Sequence, residues 1–190
     1  MRPLPPFALV TGNRGKLAEA RRLLAAGFPG VEVEGVEIDL PEIQSGEIDE
    51  VLRAKADEAW RRLGRPLVVE ETGLYLSAMN GFPGPLVKWM LEAVGPAGIA
   101  RTAQALGDDR VEARCRLLFK DGAREVVAQG STRGRLVLPG RGSGGFGWDP
   151  VFLPDGETGT YGELSAADKD RIGHRGRAWR DLAARLAETG

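Results

Sequence analysis

Apolar positions along the chain change period several times, and each change marks an element. Phe7 to Val10 is an unbroken apolar run of strand length. Beyond a polar turn, Leu17, Ala20, Leu23 and Leu24 recur at helical spacing, which predicts a helix from Gly15 to Ala26 with Gly27 as its stop. From Val31 to Ile38 valine alternates with glutamate, the pattern of a strand with one wet face. Ile48 to Leu63 returns to the helical period, with Val51, Leu52, Ala56, Ala59 and Leu63 inward and Gly64 closing the turn. "PLVVEETG" predicts a short buried strand that ends in acids, and "NGFPGPLV" a loop. "KWMLEAV" and "PAGIARTAQAL" then read as two short helices, with Pro96 opening the second. Val111, Ala113, Cys115, Leu117 and Phe119 alternate strictly, "KDGAR" turns the chain, and "EVVAQGSTRGRLV" is the return strand. A Gly-rich loop, "PGRGSGGFGWDP", precedes a helical C-terminal stretch, "SAADKDRIGHRGRAWRDLAARLAE". The order βαβαβ, helices, then a hairpin predicts an α/β protein with a mixed sheet, one domain over residues 1–190.

Composition narrows the chemistry more than the fold. A formal net charge of -1 argues against a global electrostatic grip on nucleic acid. In "MRPLPPFALV" no apolar run is long enough for a signal peptide or a membrane span, so a cytoplasmic protein without membrane partners is expected. Cys115 is the single cysteine and His174 the single histidine, which removes an intrachain disulfide and nearly excludes a zinc site of His and Cys. A metal, if used, is expected to be a hard cation held by carboxylates. Among 26 basic residues only five are lysine (Lys16, Lys55, Lys88, Lys120 and Lys169), so each lysine has some claim to a task that needs a compact ammonium. Lys120 lies beside the hairpin turn.

The turn Thr11-Gly12-Asn13-Arg14-Gly15-Lys16 joins a buried strand to a helix. A Walker A loop would need glycine at Val10 and a hydroxyl at Leu17, so this is not one. The physics of the arrangement remains: free N–H groups and the positive end of the helix dipole face the turn, with Lys16 one reach away.

Six segments then occur in order: "TGN..K", "LPEIQ", "VEETGL", "GFPGPLVKW", "GFGWDP" and "DK….HR..A". Together they resemble the inosine triphosphate pyrophosphatase family, from Ala8 to about Ala178. The resemblance implies an elongated α/β fold, a central mixed sheet with two lobes around an active-site cleft, and a homodimer. It implies hydrolysis of non-standard purine nucleoside triphosphates (ITP, dITP, XTP) to the monophosphate and pyrophosphate, with Mg²⁺ as cofactor. Thr11, Gly12, Asn13, Arg14, Gly15 and Lys16 would hold the triphosphate, helped by Lys55, Thr72 and Lys88. Lys169 would reach the nucleotide from the C-terminal segment. Glu42 and Glu71 would bind the metal, Glu71 also activating water, with Glu47 close enough in sequence to compete for the part of Glu42. Phe146 would stack on the purine, with Gly147 and Trp148 beside it. Asp149 would accept from base N–H groups or hold another site residue. His174 and Arg175 would read the base edge, where a 6-keto purine offers acceptors at O6 and N7, whereas the 6-amino group of adenine would face those donors and leave them unpaired.

Two positions depart from the family pattern. Glu71 stands where the family has Asp, which moves the carboxylate by roughly 1.5 Å, one C–C bond. A misplacement of that order can cost about 10²-fold in rate unless it is compensated. Gly173 replaces Ser at what reads as the N-cap of the last helix, a mild change. Three other readings compete. One is a nucleotide sensor that lost catalysis at Glu71. The second is a pyrophosphatase of the septum-inhibitor type, against which "FGWD" and "HR" argue. The third is nucleic-acid binding by the basic tail from Lys169 to Arg185, which Asp168, Asp170 and Asp181 interrupt.

Overall fold

A computed structural model describes residues 6–27, 31 and 33–188. Residues 1–5 of the N-terminal segment and Glu32 of the expected second strand lie outside the described residues. In chain order the elements are β1 (Phe7–Val10), α1 (Arg14–Gly27), β2 (Val33–Val36), α2 (Ile48–Leu63), β3 (Leu67–Leu76), β4 (Pro83–Gly84) and α3 (Val87–Ala105). They continue with β5 (Arg110–Lys120), β6 (Glu125–Leu136), β7 (Phe152–Pro154), α4 (Ala166–Ile172) and α5 (His174–Glu188).

The strands form one open mixed sheet in the order β2-β1-β3-β5-β6-β7, with the short β4 paired to β3. β1 runs parallel to β2 and β3, and every other pairing is antiparallel. This is the mixed α/β architecture expected from the βαβαβ start and the later hairpin.

Several elements differ from the sequence reading in extent, among them β2, which covers only Val33–Val36. β3 does not stop at its acids. It runs ten residues and pairs with β5 from Leu67↔Lys120 to Leu76↔Val111, so Glu70 and Glu71 lie mid-strand. A buried carboxylate there would ordinarily cost several kcal/mol. Both acids are ion-paired, Glu70 with Arg175 and Lys16 and Glu71 with Lys55, and the ladder continues past them. The two expected short helices form one assigned stretch, α3, broken at Gly95, which has φ 67 and ψ 175 just ahead of Pro96. The C-terminal stretch is likewise divided. Gly173 is extended between α4 and α5, and its carbonyl accepts the first helical bond of α5, from the Arg177 N–H at 3.0 Å.

Alternation along β3 sends Val68, Glu70, Thr72, Leu74 and Leu76 to one face and Leu67, Val69 and Glu71 to the other. On the first face Val68, Leu117 and Phe119 pack under α1 and α5, where Phe7 stacks on Trp179 at 6.4 Å. Further along the same face Leu74, Leu76 and Ala113 pack with Ile99 and Ala103 of α3 and with the stacked pair Phe152 and Tyr161. On the opposite face Leu67, Val69 and Leu118 pack with Leu52, Ala56 and Ala59 of α2. The two cores of the first face flank Glu70 and Thr72, and there the apolar layer gives way to charge.

One glycine fixes how α5 enters this arrangement. A Cβ on Gly130 of β6 would lie 2.2 Å from the His174 carbonyl oxygen and 2.4 Å from the Ala178 nitrogen. Only a residue without a side chain lets the first turn of α5 lie so close to the sheet. The same turn carries Arg175, whose guanidinium reaches Glu70 of β3.

Candidate active site

The candidate site begins with the turn between β1 and α1. Asn13 caps α1: its Oδ1 accepts the Lys16 backbone N–H at 3.1 Å, and its own N–H donates to Thr11 Oγ1 at 3.1 Å. The cap uses the amide oxygen of Asn13 and leaves its NH₂ for a ligand. Lys16, one turn into the helix, places Nζ 3.4 Å from Glu70 Oε1. On the other face of β3, Lys55 of α2 donates to Glu71 Oε2 at 2.6 Å and lies 3.1 Å from Glu42 Oε1. One ammonium thus holds both acids. Burial opposes the charges of Lys55 and Glu42, yet the pairing prevails: Lys55 is raised and Glu42 lowered from their ordinary values.

These groups open into a cleft of about 1120 Å³ whose walls include Thr11, Gly12, Asn13, Lys16, Glu42, Lys55, Glu71, Thr72 and Lys88. That is room for a ligand of nucleotide size. Lys88, exposed at the start of α3, lies 5.1 Å from the centre of the Trp89 ring. Trp89 donates its indole N–H to Gln44 Oε1 at 2.7 Å, joining α3 to the loop that carries Glu42. Glu47, the rival of Glu42, sits at the N-cap of α2 and is not part of the cleft wall. Arg14 is exposed and also off the wall. Gly15 touches the site differently: a Cβ there would come within 2.6 Å of the Phe146 ring.

Phe146, Gly147, Trp148, Asp149, Lys169, His174 and Arg175 line the same cleft. Gly145, at φ +71, lets the loop turn so tightly that a Cβ would fall 1.9 Å from Asp149 Oδ2. That oxygen accepts the Phe146 N–H at 2.6 Å and Lys169 Nζ at 2.6 Å. Of the two roles open to Asp149, the geometry therefore supports holding its neighbours. The Phe146 ring stands over two cations, 4.9 Å from Lys169 Nζ and 5.4 Å from the Arg175 guanidinium carbon.

His174 is 2% exposed, set between Trp148 and Tyr161. Burial, then the neighbouring Arg175 and Lys169 cations, drive its pKa well below the ordinary value, so the imidazole is neutral. Neither ring nitrogen of His174 nor the indole nitrogen of Trp148 has a hydrogen-bond partner among the described residues. Both residues line the cleft, but these nitrogens are themselves buried.

Two buried carboxylates, Glu70 in the cleft wall and Glu19 off it, were not assigned from the sequence. Glu70 accepts from the Arg175 Nε (3.0 Å), from Nη2 (2.9 Å) and from Thr72 Oγ1 (2.9 Å). Glu19 of α1 bridges Lys169 Nζ (2.8 Å) and Arg175 Nη1. Pairing holds both acids below their ordinary values against the opposing effect of burial. The doubled acid "EE" after a buried apolar run is the signal that could have marked Glu70, whereas nothing in the sequence around Glu19 distinguishes it from a solvated helix residue.

Among the described residues no three His, Cys, Asp or Glu side chains gather as a metal cage. The pair Glu42 and Glu71 still fits Mg²⁺, a cation that takes one or two carboxylates and completes its shell with water and substrate phosphate.

Comparison with known proteins places this geometry. The Ham1 family pattern matches residues 7–185. A protein of Methanopyrus kandleri named dITP/XTP pyrophosphatase is 38% identical over 169 residues, 88% of this chain and 89% of that one. A solved HAM1 protein from Coxiella burnetii shares the fold, with TM-score 0.82 at 24% identity over 97% of this chain and all of that one. A nucleoside-triphosphatase / dITP/XTP pyrophosphatase from Mycobacterium abscessus superposes with TM-score 0.68 at 29% identity, over 98% of this chain and all of that one.

Proposed function

The chain belongs to the Ham1 family, and from that membership we propose that it hydrolyses non-standard purine nucleoside triphosphates such as ITP, dITP and XTP. The observation that carries the reading is one cleft lined by two chemically distinct sets of residues, Lys16, Lys55, Lys88, Glu42 and Glu71 in one and Phe146, Lys169, His174 and Arg175 in the other.

The proposed reaction is attack of water on the α-phosphorus, releasing the nucleoside monophosphate and pyrophosphate. Asn13 and Lys16, at the N-terminus of α1, would grip the triphosphate, and Lys55 and Lys88 would add positive charge as charge develops on the leaving group. Glu71 would take the proton of the attacking water. Glu42 and Glu71 would hold Mg²⁺, which supplies neutralisation of the phosphate charge when bound. Substrate phosphate would compete with the two acids for Lys55, which already touches both. Within the second set the purine would stack on Phe146. Its O6 and N7 would accept from Lys169, His174 and Arg175, whereas the amino group of adenine would leave donors unpaired.

A homodimer and a cytoplasmic location accompany this reading from the motif resemblance. No helix among the described residues is long and apolar enough to cross a membrane. The test is product analysis of the purified protein with ITP, XTP, GTP and ATP in Mg²⁺. IMP and pyrophosphate from ITP, with little turnover of ATP, is the expected result. Release of single phosphate, or no turnover of ITP or XTP, would overturn it.

A further inference from the structure

Both proposed metal ligands converge on Lys55. Its Nζ donates to Glu71 Oε2 at 2.6 Å and lies 3.1 Å from Glu42 Oε1. The other oxygen of Glu71 accepts the Thr72 backbone N–H at 3.3 Å, so that carboxylate is engaged on both sides. Other cations of the cleft are turned elsewhere. Lys16 lies 3.4 Å from Glu70, Lys169 is held by Glu19 and Asp149, and Lys88 is exposed beside Trp89.

A divalent cation cannot share these oxygens with the ammonium without strong repulsion. The side chains of Lys55 and Glu71 are only 11% and 13% exposed, so solvent ions screen that repulsion poorly. Lys55 can nevertheless leave at small conformational cost. Its backbone is fixed in α2, where Leu52 and Ala56 pack with Val69, whereas its four-carbon stem is flexible and ends in a compact charge. Lys55 also lines the same cleft as Thr11, Asn13 and Lys16, so phosphate groups bound there offer the ammonium another partner.

We propose that Lys55 is a displaceable counter-cation: in the free chain it neutralises Glu42 and Glu71, and it yields them to a divalent cation when a polyphosphate draws the ammonium away. This rests on the nucleotide reading above, with Glu42 and Glu71 as metal ligands, and adds the coupling between the two ligands. Polyphosphate and metal then each favour binding of the other. The same release frees the Glu71 oxygen that Lys55 holds, so the acid becomes available to water when the phosphate is in place.

The experiment uses Mn²⁺ alone as the probe, followed by electron paramagnetic resonance without nucleotide. It compares the unaltered chain with Lys55→Met, Lys88→Met and a double variant that joins Lys55→Met to Glu71→Gln. Lys55→Met should bind Mn²⁺ about tenfold more tightly than the unaltered chain, Lys88→Met should change little, and the double variant should lose the gain. Unchanged or weaker binding in folded Lys55→Met would overturn the proposal. An equal gain in Lys88→Met would do so too, because bulk charge would then account for it. Where Lys55→Met does not fold, lysine labelled with ¹³C at Cε carries the test in the unaltered chain, which has five lysines. The Lys55 resonance should shift when inorganic tripolyphosphate and Mg²⁺ are added, while that of Lys120, held by Asp57 and Glu125, stays in place. An unmoved Lys55 resonance would overturn the proposal. A gain that survives Glu71→Gln is a different result and would overturn the assignment of the metal ligands, as absence of ITP turnover would overturn the nucleotide reading.

Discussion

His174 is the single histidine of the chain, and its burial makes its protonation visible in stability. Its pKa is driven down by burial and by Arg175 and Lys169, so the folded protein holds a neutral ring at pH values where the unfolded chain binds a proton. Stability from this group is therefore complete above the unfolded pKa of about 6.5 and is lost as pH falls below it. Between pH 7.5 and 5.5 the loss should be about 1.4 kcal/mol, the free energy of protonating one unfolded histidine over that range. Urea unfolding at the two pH values checks it, with His174→Gln as the variant that lacks the slope. Equal slopes in both proteins would assign the proton elsewhere. Residues differ sharply in how legible they were. Lys16, Lys55, Lys88 and Lys169 stood out because lysine is scarce here, and all four line the cleft. Glu19 did not stand out, because a lone glutamate on a helix is ordinary and its partners lie 150 and 156 residues away. Only tertiary packing makes that carboxylate a bridge.

Elements were read well where period decided the matter and less well where pairing did. The strict alternation from Val111 to Phe119 and the helical spacing of α2 both became what their patterns demanded. The far half of β3 was missed because "EETG" reads as the end of a strand. Its continuation depends on β5 alongside and on cations supplied by α1, α2 and α5. The seat of α5 on β6 was also out of reach from sequence, since Gly130 within "AQGST" gives no local sign of what it faces. Its consequence is testable. In Gly130→Ala the new methyl would meet backbone atoms of α5 at 2.2 and 2.4 Å, which cannot rotate away. The first turn of α5 must lift, at a cost of about 1–3 kcal/mol, typical of overpacking. For a chain of this length that lowers Tm by roughly 2–4 °C per kcal/mol. His174 and Arg175 move with that turn, and a displacement near 1 Å should lower kcat/KM for ITP by about 10²-fold. Thermal melts and ITP kinetics together decide: a lowered Tm with unchanged kinetics would mean that the sheet yields in place of the helix, and an unchanged Tm would overturn the prediction.

At the scale of the whole molecule, the sheet carries two apolar cores on one face with a charged layer between them. Phe7, Val68 and Trp179 belong to one core, and Leu74, Ile99 and Phe152 to the other. Glu19, Glu70, Lys169, Arg175 and Asp149 lie in the layer that joins them. Desolvating such charges costs several kcal/mol each, and the layer holds only while acids and cations remain matched. Its response to acid follows from the sign of each shift. Glu19 and Glu70 are held below their ordinary values, so the stability they contribute is present above the unfolded value of about 4.5 and is lost as pH falls through their folded values. Asp149, raised by burial despite Lys169, runs in the opposite sense and offsets part of this. Protonating the glutamates leaves Arg175 and Lys169 buried without enough countercharge, and the two cores lose what joins them. The urea midpoint should therefore fall steadily from about pH 5 downward, beyond the loss already assigned to His174. Near-UV circular dichroism should show Trp148 and Trp179, one from each side of the layer, losing their fixed environment in a single transition. A midpoint level between pH 5 and 3, or separate transitions for the two sides, would mean that the cores stand without the charged layer.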